Sequence, residues 1–526
     1  MFDISLPDVA DLAGADDASV VAAIGVCARA EAAVAARRLA AIAELVSRRA
    51  RYSSQVADTE HWACDNWDAI TAEVGAAQRI SHPMASGQMY VAVALSSRLP
   101  KVGAMLEQGL ISARLASAIV WHTDLITDPA IVNLVDAALA ADAARFGPLS
   151  VTKTAAAIAA IVARHDPSAV RRTRAEASDR EVKITGGDRG SGTAALWGRL
   201  FASDAAVLER RLTAMAAGVC EHDSRTTAQR RADALGALAA GGAHLACGCG
   251  RPECPAPAGD ARAAAVVIHV VAEPATLEAP HDPRARGDGP TPEPTPTREP
   301  ARPVLPGFLT GGATVPAPLL AHLAATGAGV RRLHHPAEAP EPGYRPSAAL
   351  ARFIRARDMT CRFPGCDNPV TDIDHTIPWP LGPTHPSNLA LLCRKHHLIK
   401  TFWAGWRERQ YPDGTLEWTS PTGHTYTTHP GARLIFNALC LPTGDLPTPA
   451  PDPAPGGGAR RGVAMPARRR TRAQDRAQRL KSERDHNTHR ISAREAQAET
   501  APDAALAAGR RRARAEEPDF GDPPPF

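Results

Sequence analysis

The sequence predicts a mainly α-helical N-terminal domain with a few short strands, then a C-terminal ββα element stapled by a structural metal, with a disordered linker between them and a disordered tail after them. Three observations predict this. An Ala-rich stretch without proline carries apolar residues at helical spacing. A Pro-rich run interrupts the chain. Two short-spaced pairs of metal-ligand residues enclose a strand, strand, helix pattern. The boundaries read as 1–279 for the helical domain, 280–306 for the linker, 307–345 for a short connecting segment, 346–445 for the metal-stapled domain and 446–526 for the tail.

From about Asp17 to Ala50, Val20, Ile24 and Cys27 and then Leu39, Ile42 and Val46 recur at helical spacing with no proline among them. A second helical stretch runs from about Ala69 to Ser97 and breaks near Pro100. Lys101 to Glu107 forms a short helix, Gly109 stops it, and Ser112 caps a helix reaching about Trp121. Helix, glycine turn and helix fit a helix-turn-helix, and equally an αα-hairpin in a bundle, which is the commoner arrangement. Glu181 to Thr185 and Thr193 to Phe201 read as strands joined by the turn Gly186-Gly187-Asp188-Arg189-Gly190, with a helix starting near Ser203 or Asp204.

Ala264 to Val271 is a candidate buried strand. Between Pro280 and Pro306 the prolines at 290, 292, 294, 296, 300 and 303 hold the chain extended and solvated, as a linker. A helix then begins after Pro346 at Ser347 and ends near Asp358. Beyond Leu446 the chain is Pro/Gly-rich and then basic, which predicts disorder. Trp403, Trp406 and Trp418 alternate with turn sequences and predict short hairpins, their rings packing a core rather than stacking on bases.

A net charge of +4 over 526 residues does not by itself announce a nucleic-acid binder. Local charge says more: Arg460 to Arg490 holds eleven Lys or Arg against three Asp or Glu, which fits a solvated tail or a phosphate-binding segment. The first eight residues lack the basic and apolar blocks of a signal peptide, and no window reaches the ~18 uninterrupted apolar residues of a membrane span. The expectation is a cytoplasmic protein without a membrane partner. Its ten cysteines are then thiols or metal ligands rather than disulfides. Oligomeric state is not predicted.

Cys361 and Cys366 flank the tight loop Arg362-Phe363-Pro364-Gly365, and Cys393 and His396 form a second close pair. Three sulfurs and one nitrogen in two such pairs match a tetrahedral structural Zn²⁺ site. A ββα unit is too small to hold itself rigid, and zinc replaces the missing core. Inside the insert, a β-branched run ends in Asp374 and His375. Ser387 to Leu392, containing Asn388, is a second strand, and a helix from about Cys393 to Phe402 carries His396 and His397.

With Asp-His, Asn and His at these three stations, the segment Cys361 to Lys400 resembles the HNH endonuclease (His-Me finger, ββα-metal) domain in its four-ligand zinc variety. The wider chain resembles bacterial proteins that join an N-terminal domain of unknown function to this nuclease. It does so on Arg98-Leu99-Pro100, on Leu106-Glu107-Gln108-Gly109-Leu110-Ile111-Ser112, on Arg230-Arg231-Ala232-Asp233-Ala234-Leu235 and on a cysteine cluster near residue 250.

The resemblance implies metal-dependent hydrolysis of DNA phosphodiesters. His375, an imidazole that titrates near neutrality, is the expected general base. Asp374 points to the opposite strand face and, with His397, holds a divalent ion, Mg²⁺ or Mn²⁺. The resemblance also implies that Asn388 holds the loop between the strands by backbone hydrogen bonds. His396 and His397 project roughly 100° apart on a helix, so one can face the structural zinc and the other the catalytic ion. The order of ligands in relatives assigns His396 to zinc.

The fourth zinc ligand is His where Cys is commoner, and four residues rather than two part the first pair. Arg394, Lys395 and Lys400 are candidate phosphate contacts, or ordinary surface charges. His244, Cys247, Cys249 and Cys254 fall close together and form either a second zinc knuckle or a glycine-rich loop with free thiols. The competing functional reading is a DNA-binding or scaffold protein whose HNH-like zinc module is idle.

Overall fold

The structure is a computed structural model that describes residues 8–53, 59–146, 149–171, 181–185, 193–256, 269–279, 304–309, 314–325, 328–446 and 464–515. It is mostly helical with a few short strands. The chain divides into two compact units: Met1–Val74, Pro83–Thr173 and Ala464–Phe526 form one, Gly75–His82 and Arg174–Val463 the other. The division near residue 173 and the return of the C-terminal segment to the first unit differ from the sequence boundaries at 279 and 446.

The first unit opens with α1 (Val9–Leu12) and α2 (Asp17–Ser53), takes α3 (Asn66–Gln78) as far as Val74 and α4 (His82–Ser97) from Pro83, continues through α5 (Pro100–Glu107), α6 (Ala113–Thr123) and α7 (Pro129–Asp142), and reaches α8 (Val151–His165). By length and composition α2 could cross a membrane. Here it buries Ala30, Ala33, Leu39 and Ile42, a stripe at helical spacing.

The helical stretch expected from 69 to 97 is two helices. Pro83 has no N–H to return to residue 79, and Arg79 takes a left-handed conformation (φ 55°) at the break. Proline opens α5 where no N–H is needed, and the Asp136 carboxylate of α7 accepts from the N–H groups of Lys101 and Val102 at 3.0 and 3.1 Å. Gly109 stops α5 with φ 72°, and a Cβ there would meet the Arg29 carbonyl at 2.8 Å. Ser112 caps α6 by accepting from Leu115 N–H. Val102, Leu106, Ala116 and Ile119 of α5 and α6 are fully buried, as in an αα-hairpin within a bundle.

In the second unit β1 (Glu181–Thr185) and β2 (Ala195–Arg199) pair antiparallel as expected, while their glycine-rich turn lies outside the described residues. α9 (Ala202–Ala217) and α10 (Thr227–Ala239) share a small core of Met215, Val219, Ala234 and Leu245. β3 (Val270–Val271), β4 (Gly307–Leu309) and β5 (Thr314–Val315) form a three-stranded sheet, followed by α11 (Ala317–Ala325). Most of the linker expected at 280–306, and 264–268 of the expected buried strand, lie outside the described residues.

α12 (Ala348–Asp358), capped by Ser347, packs Leu350, Phe353 and Ile354 on Leu389 and Leu391. Then come β6 (Asp372–His375), β7 (Leu389–Leu392) and α13 (Arg394–Phe402), the expected strand, strand, helix order, with Asp374 opposite Ala390 and His375 opposite Leu389. β8 (Arg407–Gln410), β9 (Leu416–Thr419) and β10 (Thr425–Thr428) form a meander. Trp418 is fully buried against Phe363 and Trp406 and donates to the Arg362 carbonyl at 3.1 Å, so these rings pack a core. The buried Asp358 carboxylate accepts from Arg357, Arg362 and the Leu391 N–H, which ties α12 to β7.

Over 464–515 the tail corrects the expectation of disorder, while 447–463 and 516–526 lie outside the described residues. α14 (Arg472–Ala515) belongs to the first unit. Residues 472 to 500 contain neither proline nor glycine, and the basic side chains that look solvated in sequence find acidic partners far back in the chain. Arg468 and Arg472 both pair with Asp65 and Asp68, Arg476 with Asp124, and Arg484 with Asp166 at 2.7 Å. Asn487 donates to the carbonyls of Ser168 and Val170. These arginines serve the unit's own packing rather than lying free for phosphate.

Candidate functional site

Two groups of metal-ligand side chains and one carboxylate–imidazole pair stand out in the second unit. In the first group the ligand atoms of Cys361, Cys366, Cys393 and His396 lie within 4.8 Å of one another, the set read from sequence. Cys393 sits at the N-cap of α13 and His396 in its first turn, so one helix start supplies two donors. Nδ1 of His396 is 3.3 Å from Cys393 Sγ and 3.5 Å from Cys361 Sγ. Those separations approach the ~3.6 Å nitrogen–sulfur edge of a tetrahedron around zinc. Phe363 stacks on the His396 ring with centroids 4.1 Å apart and fixes its plane. Burial, with the Cys366 and Cys393 thiols alongside, pushes the Cys361 thiol well above its usual value. A bound cation reverses that effect, so the donor set fits a metal such as zinc.

Next to this knot, Asp374 Oδ1 lies 3.4 Å from His397 Nε2. The structure therefore brings together the two side chains expected to share a catalytic ion. Nδ1 of His397 is buried with no hydrogen-bond partner. Burial opposes the charge on Asp374, but His397 and Lys400 hold its carboxyl at about 2.

Strand alternation sends His375 to the other face, where it is buried. Its Nε2 meets Thr384 Oγ1 at 2.9 Å and Tyr344 stacks on its ring. Burial lowers the His375 pKa, against the raising influence of Asp374, and so favours the neutral ring. Asn388 is fully buried. Its oxygen accepts from Ile377 N–H at 2.7 Å and its amide donates to the Ile377 and Pro383 carbonyls, so it staples the loop between β6 and β7. A Cβ at Gly382 would collide with that amide, so glycine is required there.

Lys400, a candidate phosphate contact by sequence, is instead enclosed. Its ammonium donates to Asp374 Oδ2 and to the His375 carbonyl, both at 2.7 Å, and pairs with Glu408. Arg394 is exposed on α13, and Lys395 Nζ lies 3.3 Å from His82 Nε2.

Sequence reasoning missed Glu408, Thr384 and Tyr344. Glu408 is buried, and burial raises its carboxyl to about 7 even with Lys400 beside it. Its signal was the two-residue period of β8, which sets Trp406, Glu408 and Gln410 on one face. Gln410 bonds Thr376 and the Pro386 and Leu389 carbonyls from that face.

The second group corrects the ligand set considered in sequence. The sulfurs of Cys220, Cys247, Cys249 and Cys254 lie within 4.8 Å of one another and could also hold a metal such as zinc. His244 is not among them: it lines a cavity with Arg211, Met215 and Gly218. The loop after α10 returns to the end of α9, and this brings in Cys220.

Comparison with known proteins gives relatives but no activity. The sequence is 55% identical over 506 residues to the uncharacterized protein Rv2100 of Mycobacterium tuberculosis, covering 93% of this chain and 91% of that one. It is likewise 55% identical over 494 residues to the uncharacterized protein Rv3776 of the same species, covering 93% and 94%. No solved structure matches. Residues 26–358, ending ahead of Cys361, match a family described as a domain of unknown function (DUF222), and the chain belongs to that family.

Proposed function

We propose that the chain is a metal-dependent HNH endonuclease that hydrolyses DNA phosphodiester bonds, acting in the cytoplasm. The observation that carries this reading is the pairing of Asp374 with His397 across β6 and α13, next to a buried imidazole on the adjoining strand position and a four-donor metal knot. Asp374 and His397 would hold a Mg²⁺ or Mn²⁺ ion, which when bound stabilises charge on the phosphate and the leaving oxygen. The remaining chemistry belongs to the chain. His375 takes the proton of the attacking water, Asn388 keeps the loop that orients it, and the zinc knot fixes the helix that carries His397. Arg394 and Lys395, on α13, are the proposed DNA contacts.

One observation favours the second reading, an idle HNH-like module in a DNA-binding or scaffold protein. The Lys400 ammonium already pairs with both Asp374 and Glu408 and occupies the Asp374 carboxylate. Manganese binding followed by its electron spin resonance, together with plasmid cleavage, separates the two. The nuclease reading expects wild type to bind Mn²⁺ and cut, and Asp374→Ala and His397→Ala to lose both. Wild type that neither binds nor cuts supports the idle module.

A further inference from the structure

We infer that Cys220, Cys247, Cys249 and Cys254 form a second, all-thiolate structural zinc site, which clamps the 245–256 loop onto the α9–α10 hairpin and is separate from the proposed nuclease centre. The ligands are three cysteines of one loop and a fourth from the end of α9. Cys220 Sγ and Cys247 Sγ are 3.5 Å apart, too far for a disulfide at about 2.0 Å and near the ~3.8 Å sulfur–sulfur edge of a zinc tetrahedron.

The backbone turns towards the sulfurs. The N–H groups of His222, Arg251 and Ala256 face the sulfurs of Cys220, Cys249 and Cys254, each two residues beyond its cysteine, and in the first knot Asn368 N–H faces Cys366 in the same way.

A second layer holds the two ends of the site together. The buried Asp223 carboxylate, three residues after Cys220, accepts from Gly248 N–H at 2.7 Å between two of the ligands. Arg225 binds the same carboxylate and donates to the Ala246 carbonyl at 2.8 Å. Outer-sphere bonds of this kind orient metal ligands.

The site also answers a need of the fold. α9 and α10 share a core of four buried residues, and the loop that follows α10 up to residue 256 contains no further helix or strand. So small a core does not hold a loop in one conformation, and a metal staple does.

Metal analysis of the purified full-length chain tests the inference. Wild type is expected to carry two zincs, His244→Ala two, and Cys220→Ser one. X-ray absorption at the zinc edge of the wild type needs no variant to fold. A tetrathiolate site beside a three-sulfur, one-nitrogen site averages about 3.5 sulfurs per zinc, whereas the first knot alone averages three. One zinc per wild-type chain, two zincs retained in Cys220→Ser, or a disulfide among the four cysteines would overturn it.

Discussion

Thr384 fixes which nitrogen of His375 is basic. Its hydroxyl stands 2.9 Å from His375 Nε2 and 2.6 Å from the Gly343 carbonyl. A hydroxyl has one proton, and the carbonyl can only accept, so that proton goes to Gly343. The imidazole must then donate through Nε2, which leaves the Nδ1 lone pair to receive a proton. Removing the hydroxyl should release the tautomer. Thr384→Val is expected to cut DNA ~10–100-fold more slowly, a fraction of what a general base contributes, while Thr384→Ser stays near wild type. Nitrogen NMR of His375 should show Nε2–H in wild type and a tautomer mixture in Thr384→Val. Wild type protonated at Nδ1 would refute the assignment.

The Cys361–His396 knot predicts a dependence of stability on metal. Stripping zinc leaves buried thiols and one imidazole without the cation that offsets their burial, and removes the staple on α13. The melting temperature should fall with chelator and recover on adding zinc, and His396→Ala should resemble the stripped protein. An unchanged melting curve after zinc has demonstrably left would rule out a structural role.

Lys400 lies between two carboxylates that would otherwise repel each other in a buried site. Lys400→Met leaves Asp374 and Glu408 uncompensated and should destabilise the chain by about 3 kcal/mol, as removal of one member of a buried ion pair does. The double variant Lys400→Met/Glu408→Leu should recover part of the loss. Urea denaturation measures both. Two independent, additive losses would show that Lys400 and Glu408 do not interact.

α14 gives a pH-dependent prediction. Burial opposes the charge of Asp166, but the Arg484 guanidinium and the Ser168 hydroxyl hold its carboxyl below the usual range. A carboxyl lowered on folding adds stability that is present above its unfolded pKa, about 3.9, and is lost as the pH falls through its folded value. Asp166→Asn should therefore cost ~1–3 kcal/mol at pH 7 and progressively less in acid. Arg484→Gln should cost a similar amount, without additivity. A loss independent of pH between 6 and 3 would contradict the pairing.

What could be read from the sequence followed the range of the interactions. The four-donor knot was legible because its donors come in pairs a few residues apart, and so was the approach of Asp374 to His397, which lie near the end of a short strand and in the first turn of a helix. Ser112 and Ser347 announce their helices because a cap is a local bond. Cys220 was not legible: it stands far from Cys247 in sequence, and only the antiparallel return of α10 brings the two together. The period of β8 sets Glu408 on the face of Trp406 and Gln410, but that this face is the buried one depends on the meander. The tail misled for the same reason, since the acids that order its arginines, Asp65, Asp68, Asp124 and Asp166, lie hundreds of residues earlier.

The central claim concerns the His375 imidazole, and supercoiled plasmid cleavage with Mg²⁺ or Mn²⁺ tests it most directly. With zinc content and melting temperature matched, His375→Ala should cut at least ~100-fold more slowly than wild type. Equal cleavage by the two proteins would contradict the account.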